Sequence, residues 1–264
     1  VTPDEAPALV HAIIALFRDH GPRQTRTRTR LVYLLQQWGL PHFRREVEAA
    51  LGRRLPPAGL DLRCREVCES VGVLPGSDPN RVAVGLLVPV GRITGGQLAE
   101  AARLTDVFGT GDLRFTASQN LLLPGVPRDR LDEFLREPLL QTLRIDPEPI
   151  LRGTVSCTGI DYCSMAVIET KRRALELSEE LARRVPGSRP LRIHWSGCRA
   201  GCGGHAVADI GLLGRKAQRG TEGVEAVDVF IGGSPGPDAA AGLKLLEAVP
   251  CDELADVLEG LVRY

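Results

Sequence analysis

Two pairs of cysteines, each placed just after a short apolar run, constrain this chain more than any other feature. The first pair is Cys157 and Cys163 in "SCTGIDYC", with five residues between them. The second is Cys198 and Cys202 in "HWSGCRAGCGGH", with three residues between them. Thirty-four residues separate the pairs, and four glycines (Gly197, Gly201, Gly203 and Gly204) crowd the second. A strand that ends in a cysteine-bearing turn delivers a thiol to a sheet edge. Two such loops converge when their strands are neighbours. Four thiolates suit zinc or an iron–sulfur cluster. Structural zinc favours roughly two to four residues between paired ligands, which the second pair satisfies and the first exceeds. A cubane is wider than one ion, so wider ligand loops suit it. Glycines let backbone N–H groups approach the sulfurs, which offsets charge and tunes potential. The alternative is four unrelated buried thiols.

Seven cysteines make an odd count, and "VTPDEAPALV" lacks the basic-then-apolar pattern of a secretory leader. Both features predict a reducing, cytoplasmic compartment, with thiols used as ligands rather than as disulfides. The first residue is Val rather than Met, which predicts a processed chain or a piece of a longer one. No run of 18 apolar residues occurs, so no membrane-spanning helix is expected. Lys plus Arg and Asp plus Glu balance at 33 each, which argues against a nucleic-acid partner. The balance is uneven: residues 1–65 hold eleven Arg and no Lys against six Asp or Glu.

The pattern of apolar residues and breakers predicts an α+β chain in three parts. Residues 1–60 read as a helical segment: helices over 5–19, about 29–38 and 41–51, closed by the breaker "RRLPPAG". Residues 76–143 read as strand, helix, strand, helix, one half of a ferredoxin-like unit. Its first helix has Thr94 as cap and Gly109 as stop. Its second strand covers 112–126 and its second helix 128–140. Residues 148–264 read as a mixed α/β domain. A strand to Val155 leads into a cysteine loop, a helix from Cys163 to Arg184, the strand "LRIHW" and the glycine–cysteine loop. Strands "AVADIGLLG" and "AVDVFIGG" and two helices follow. A helix opening at Cys163 would favour a thiolate there.

"CTGIDYC" followed by "AVIETKRRA", then "HWSGCRAGC" followed by "VADIGLLG" and "VDVFIGG", resembles the assimilatory nitrite and sulfite reductases that carry siroheme and a 4Fe-4S cluster. Upstream, "VGLLVPVGRIT" and "TGDLRFTASQNLLLPGVP" look like the ferredoxin-like half-domain of that family. "RTRTRLVYLLQQWGLPHFRREVE" looks like the segment closing its first siroheme-binding domain. The likeness covers nearly the whole chain, least clearly from Leu55 to Pro79. It implies that Cys157, Cys163, Cys198 and Cys202 hold the cluster, and that Cys202 also bridges to the siroheme iron. It implies six-electron reduction of nitrite to ammonium or of sulfite to sulfide, with electrons from a ferredoxin-like donor. "HWSGC" and "EPLL" tilt the reading to nitrite. The family's anion-gripping basic residues lie in an earlier half, which this chain is expected to lack and to meet in cis or as a separate chain.

The sequence departs from the family between the last two cysteines. Pro-Asn-Ser or Pro-Asn-Gly is common there, whereas this chain has Arg199, Ala200 and Gly201, so the Asn serving the siroheme side is missing. "GCRAGCGGH" also leans towards a cluster-containing oxygenase of cobalamin ring synthesis; "IETK" and "VDVFIGG" favour the reductases. A reading of another class is a cluster-carrying electron-transfer subunit that needs a partner chain for substrate.

Siroheme is polyanionic, and "RQTRTRTR" supplies cations, Arg28 and Arg30 matching the family's basic pair best; a solvated surface loop or a nucleic-acid arm is the plainer reading. Gln119 and Asn120 end a strand near the expected cofactor face, or simply cap that strand. Cys64 and Cys68 in "CREVC" read as one helix face. Cys251 reads as a buried or capping thiol. His194 and His205 flank the cysteine loop, and Lys171 of "IETK" is either structural or near a cofactor carboxylate.

Overall fold

The computed structural model describes residues 1–57, 59, 70–236 and 238–263. The chain divides into two units, residues 1–62 and 63–264. In the first, helices α1 (Ala6–His20), α2 (Leu31–Trp38) and α3 (Leu40–Leu51) pack together. Leu9, Ile13, Leu16 and Phe17 lie along one face of α1 and close over Leu34, Phe43 and Val47. Helix α2 starts at Leu31 rather than near Thr29, because residues 26–28 form a 3-10 turn closed by the Arg28 amide on the Thr25 carbonyl (2.8 Å).

The second unit begins with an antiparallel sheet of four strands: β1 (Gly72–Pro75), β2 (Arg81–Leu86), β3 (Arg114–Phe115) and β4 (Leu121–Pro127), in spatial order β1-β2-β4-β3. Val82, Val84 and Leu86 alternate inward along β2 and meet helix α4 (Gly95–Phe108) through Ala101, Leu104 and Phe108. The helix starts where a capping box predicts. Thr94 Oγ1 accepts from the Gln97 amide (3.2 Å), and Gln97 Oε1 accepts from the Thr94 amide (3.0 Å).

Two elements differ from the sequence reading. The single strand expected over 112–126 is a hairpin, β3 and β4. Its turn is held by the Asn120 amide on Thr116 Oγ1 (3.0 Å), a local bond that competes with the ladder. The helix expected over 128–140 shrinks to α5 (Leu131–Phe134) between 3-10 turns. Pro138 donates no hydrogen bond and holds Glu137 extended at ψ 139°. Strand β1 lies where the family likeness was least clear.

Next come α6 (Pro149–Arg152), β5 (Thr154–Ser156), α7 (Lys171–Arg184), β6 (Ile193–Ser196), β7 (Ile210–Arg219), β8 (Glu222–Ile231), β9 (Leu243–Pro250) and α8 (Leu254–Arg263). The five strands form one sheet in sequence order. β5, β6 and β7 run parallel, and β8 and β9 return antiparallel. Ile193, Trp195, Leu212, Val227 and Val229 pack under Leu177 and Leu181 of α7 and Leu254 and Leu258 of α8.

Here too the structure corrects the sequence. Helix α7 begins at Lys171, not Cys163, because the Glu169 carboxylate caps it, accepting from the Arg172 and Arg173 amides at 3.0 and 3.1 Å. Cys163 therefore lies in a loop, and the helix-dipole argument for it falls. The first of the two C-terminal helices expected is strand β9. Asp228 of β8 holds it at a register shift, accepting from the Ala248 amide (3.0 Å) and pairing with Lys244 (3.0 Å).

One ion pair joins the starts of β6 and β7. Asp209 accepts from the Arg192 amide (2.8 Å) and from its guanidinium (2.9 and 2.6 Å). Burial alone would raise the Asp209 carboxyl, but the Arg192 bonds outweigh it and hold the pKa below the ordinary value. A depressed carboxylate stabilises the fold above its unfolded pKa, and that contribution disappears as pH falls through the folded value. Asp209→Asn should therefore cost about 1–2 kcal/mol at pH 7 and less below about pH 4. Urea unfolding at both pH values measures this; an equal loss at both would refute it.

Candidate metal centre

Parallel pairing places the two cysteine loops. Thr154 faces Ile193 and Ser156 faces Trp195, so β5 and β6 end at the same sheet edge. Cys157 follows β5 directly, and Cys198 lies two residues beyond β6. The loops are then cross-bonded. The Cys157 amide donates to the Trp195 carbonyl (3.0 Å) and the Val167 amide to the Gly197 carbonyl (2.9 Å). The Gly197 amide donates to Cys157 Sγ itself at 3.1 Å. Thr170 Oγ1 donates to the Cys157 carbonyl (2.7 Å) and lies 3.8 Å from its sulfur.

Cys157, Cys163 and Cys198 are half-buried free thiols, and Cys202 is exposed. The Cys163 amide donates to the Gly159 carbonyl (3.1 Å), which folds the first loop back on itself. The Gly201 amide donates to the Cys198 carbonyl (3.2 Å), which makes a tight turn between the second pair. Among the described residues no three His, Cys, Asp or Glu side chains crowd a single-ion position.

Gly203 has a steric reason to be glycine. A Cβ there would lie 1.8 Å from the Trp195 carbonyl oxygen, so no other residue lets the chain after Cys202 pass back over β6. The Gly203 amide donates to Ser196 Oγ (3.2 Å), and the same hydroxyl meets His205 Nδ1 (2.9 Å). Burial lowers the pKa of His205, whose ring stands edge-on to Phe230 at 5.3 Å.

A cavity of about 330 Å³ opens beside this loop, with Gln119, Asn120, His194, Cys202, Gly203 and Gly204 in its wall. Burial also lowers the pKa of His194. The Gly204 and Gly203 backbone lies beside the His194 ring and favours its protonated form, yet no well-formed hydrogen bond reaches the buried Nδ1. Gln119 and Asn120 lie in the β3–β4 turn, not at the end of a strand, and both have partners. Gln119 Nε2 donates to the Ser156 carbonyl (2.8 Å), and the buried Asn120 Oδ1 accepts from the Val88 amide (2.9 Å).

Arg28 and Arg30 belong to the other unit. Both are exposed, and neither pairs with a carboxylate among the described residues. The Arg28 guanidinium lies over the Tyr33 ring at 5.9 Å, and Arg30 Nη1 donates to the Thr29 carbonyl at 2.8 Å. Cys64 and Cys68 lie outside the described residues. Cys251 opens the turn before α8 and packs on the core; burial pushes its thiol up to about 11, as suits a structural role. Sequence reasoning missed Thr170 and the Gly197 amide as partners of Cys157. It left Lys171 undecided, although "IETK" was visible as a motif.

The family model for the nitrite and sulphite reductase 4Fe-4S domain matches residues 1–55 and 149–264. The model for the nitrite/sulfite reductase ferredoxin-like half domain matches residues 75–140. A ferredoxin–nitrite reductase of Synechococcus elongatus is 44% identical over 254 residues, which is 96% of this chain and 50% of that protein. The chloroplastic ferredoxin–nitrite reductase of Zea mays is 41% identical, over 99% of this chain and 47% of its own length. The solved structure of the Mycobacterium tuberculosis NirA protein superposes with a TM-score of 0.91 at 32% identity, covering all of this chain and 50% of that one. This chain thus spans about half the length of the curated relatives it matches.

Gly203→Ala would force its methyl into the Trp195 carbonyl. It should lower stability by about 1–3 kcal/mol and make the Cys202 thiol react faster with a maleimide. Unchanged urea midpoint and labelling rate would show that the loop accommodates a side chain.

Proposed function

We propose that this chain, which belongs to the nitrite and sulphite reductase 4Fe-4S domain family, is the cofactor-bearing half of a ferredoxin-dependent enzyme that reduces nitrite. Its cofactors are a 4Fe-4S cluster and siroheme. The observation that carries the reading is the meeting of the two cysteine loops at one sheet edge, with the Gly197 N–H already directed at Cys157 Sγ. In this reading Cys157, Cys163, Cys198 and Cys202 hold the cluster. Cys202, the exposed thiol on the cavity wall, would hold the siroheme iron as well. The donor set fits: four free thiols, a backbone donor aimed at one of them, and an unpartnered imidazole nitrogen in the cavity wall. When bound, the two groups supply an electron relay and an iron centre for six-electron reduction of nitrite to ammonium.

The chain's own residues prepare that site. The Gly197 N–H offsets negative charge on the Cys157 thiolate. Thr170 fixes the Cys157 carbonyl, and Ser196 ties Gly203 and His205 beneath the Cys202 turn. Arg28 and Arg30 are assigned to siroheme carboxylates, and Gln119 and Asn120 to the cofactor side of the cavity. Nitrite and a ferredoxin donor are assigned because several relatives carry the name ferredoxin–nitrite reductase. The reductase likeness runs through both family models and displaces the cobalamin-oxygenase reading. No helix among the described residues is long and apolar enough to cross a membrane. The cytoplasm is the assigned compartment.

The domains assigned are a helical segment (1–60), a half-domain (76–143) and a cluster-bearing domain (148–264). Gripping a small anion at an iron needs preorganised positive charge, and the other half of the relatives' length is its assigned source. Anaerobically purified protein should show cluster and siroheme absorption. Cys202→Ser should lower siroheme occupancy about tenfold more than Cys157→Ser does. Reduced-viologen turnover of nitrite should be poor with the 264 residues alone and should rise when the complementing half is added. Absence of cluster absorption after reconstitution would sink the reading. Full turnover by the 264 residues alone would remove the need for a second half.

A further inference from the structure

Lys171 Nζ donates to the carbonyl of Val90, to the carbonyl of Ser156 (3.0 Å) and to Gln119 Oε1 (3.2 Å). Two of these acceptors belong to the ferredoxin-like half-domain. The third immediately precedes Cys157. All three are neutral oxygens, and among the described residues no carboxylate pairs with this half-buried ammonium. Gln119 closes the triangle by donating from Nε2 to the same Ser156 carbonyl (2.8 Å).

The backbone around the lysine is strained. Val90 (φ 48°) and Gln119 (φ 65°) are two of the three non-glycine residues with positive φ among the described residues. Such conformations cost of order 1 kcal/mol or more and persist only where surrounding contacts impose them. Lys171 touches both. The Val90 side chain is buried in the apolar core of the cysteine-bearing domain, although its backbone belongs to the half-domain. The join between the two domains is thus over-determined at this point. A desolvated cation without a carboxylate also favours negative charge nearby.

We propose that Lys171 is a positioning residue for the Cys157 end of the cluster site: it fixes the half-domain to the strand that carries Cys157 and supplies a standing positive charge that makes a bound cluster easier to reduce. This rests on the cluster reading above. A cluster gains negative charge on reduction, so a fixed cation nearby favours the reduced form. Thr170 and Gly197 can orient Cys157, but neither carries charge. Lys171 supplies both effects from one atom.

The test separates charge from tethering with Lys171→Met, Lys171→Arg and Gln119→Leu in the full chain. Redox titration of the cluster, followed by its reduced-state paramagnetic signal, should show a more negative midpoint for Lys171→Met. Lys171→Arg should stay near the parent, and Gln119→Leu should move less than Lys171→Met. A Lys171→Met midpoint equal to the parent's overturns the charge role. If Lys171→Met loses its cluster, retention in Lys171→Arg supports the proposal and equal loss in both overturns it. A second readout needs no cluster. In the apo chain, amides of residues 156–163 should exchange about tenfold faster in Lys171→Met than in the parent. Unchanged exchange overturns the positioning role. Failure of the parent chain to take up a cluster strikes the functional reading instead, and the apo exchange still decides whether Lys171 positions the strand.

Discussion

Parallel pairing of β5 with β6 is the contact on which the rest of the second unit depends. Parallel strands need a crossover, and α7 provides it by packing Leu177 and Leu181 onto the sheet through Ile193 and Trp195. The crossover sends both strand ends to the same edge, so two loops far apart in sequence start side by side. Everything local follows from that start. The Cys157 amide can reach the Trp195 carbonyl only because β6 lies alongside, and the Gly197 amide can reach Cys157 Sγ for the same reason. An antiparallel pairing would instead send the two loops to opposite ends of the strands.

The second constraint is the join between the half-domain and the cysteine-bearing domain. Several of the groups that make it do more than one job. Val90 fills the core of one domain while its carbonyl accepts from Lys171 of that domain. Gln119 donates to Ser156 and accepts from Lys171. Asn120 turns inward to hold the Val88 amide, which sets where Val90 arrives. The positive φ values at Val90 and Gln119 follow from these bonds, since neither residue type chooses that conformation alone.

What could be read in the sequence was what depends on local pattern. The Thr94 cap, the Gly109 stop and the strand ahead of them are written in adjacent residues, and the structure follows them. The cysteine spacing pointed to one family, and the family models agree. What could not be read depends on partners distant in sequence. Residues 243–250 form a strand because β8 offers a ladder and Asp228 a carboxylate, neither visible from "LKLLEAVP". Helix α7 starts eight residues later than periodicity suggested, because Thr170 is spent on the Cys157 carbonyl and Glu169 on the first helical amides. The hairpin turn at Thr116–Asn120 hid for a similar reason: a hydroxyl accepting from a backbone amide leaves no periodic trace.

The loop between Cys198 and Cys202 shows how the fold absorbs a departure from its family's pattern. Arg199, Ala200 and Gly201 offer no side-chain amide where the likeness implies an asparagine. Support for the turn comes from below instead. Ser196, the last residue of β6, meets both the Gly203 amide and His205 Nδ1. His194, two residues earlier on the same strand, is one of the polar residues in the cavity wall. Alternate residues of a strand share a face, so His194 and Ser196 point the same way. Burial lowers the pKa of both histidines and so favours their uncharged forms at neutral pH. A neutral imidazole can donate or accept according to its tautomer, as an asparagine amide does. The strand beneath the loop thereby offers a hydrogen-bonding group of the same versatility, mounted on a more rigid element than the loop itself.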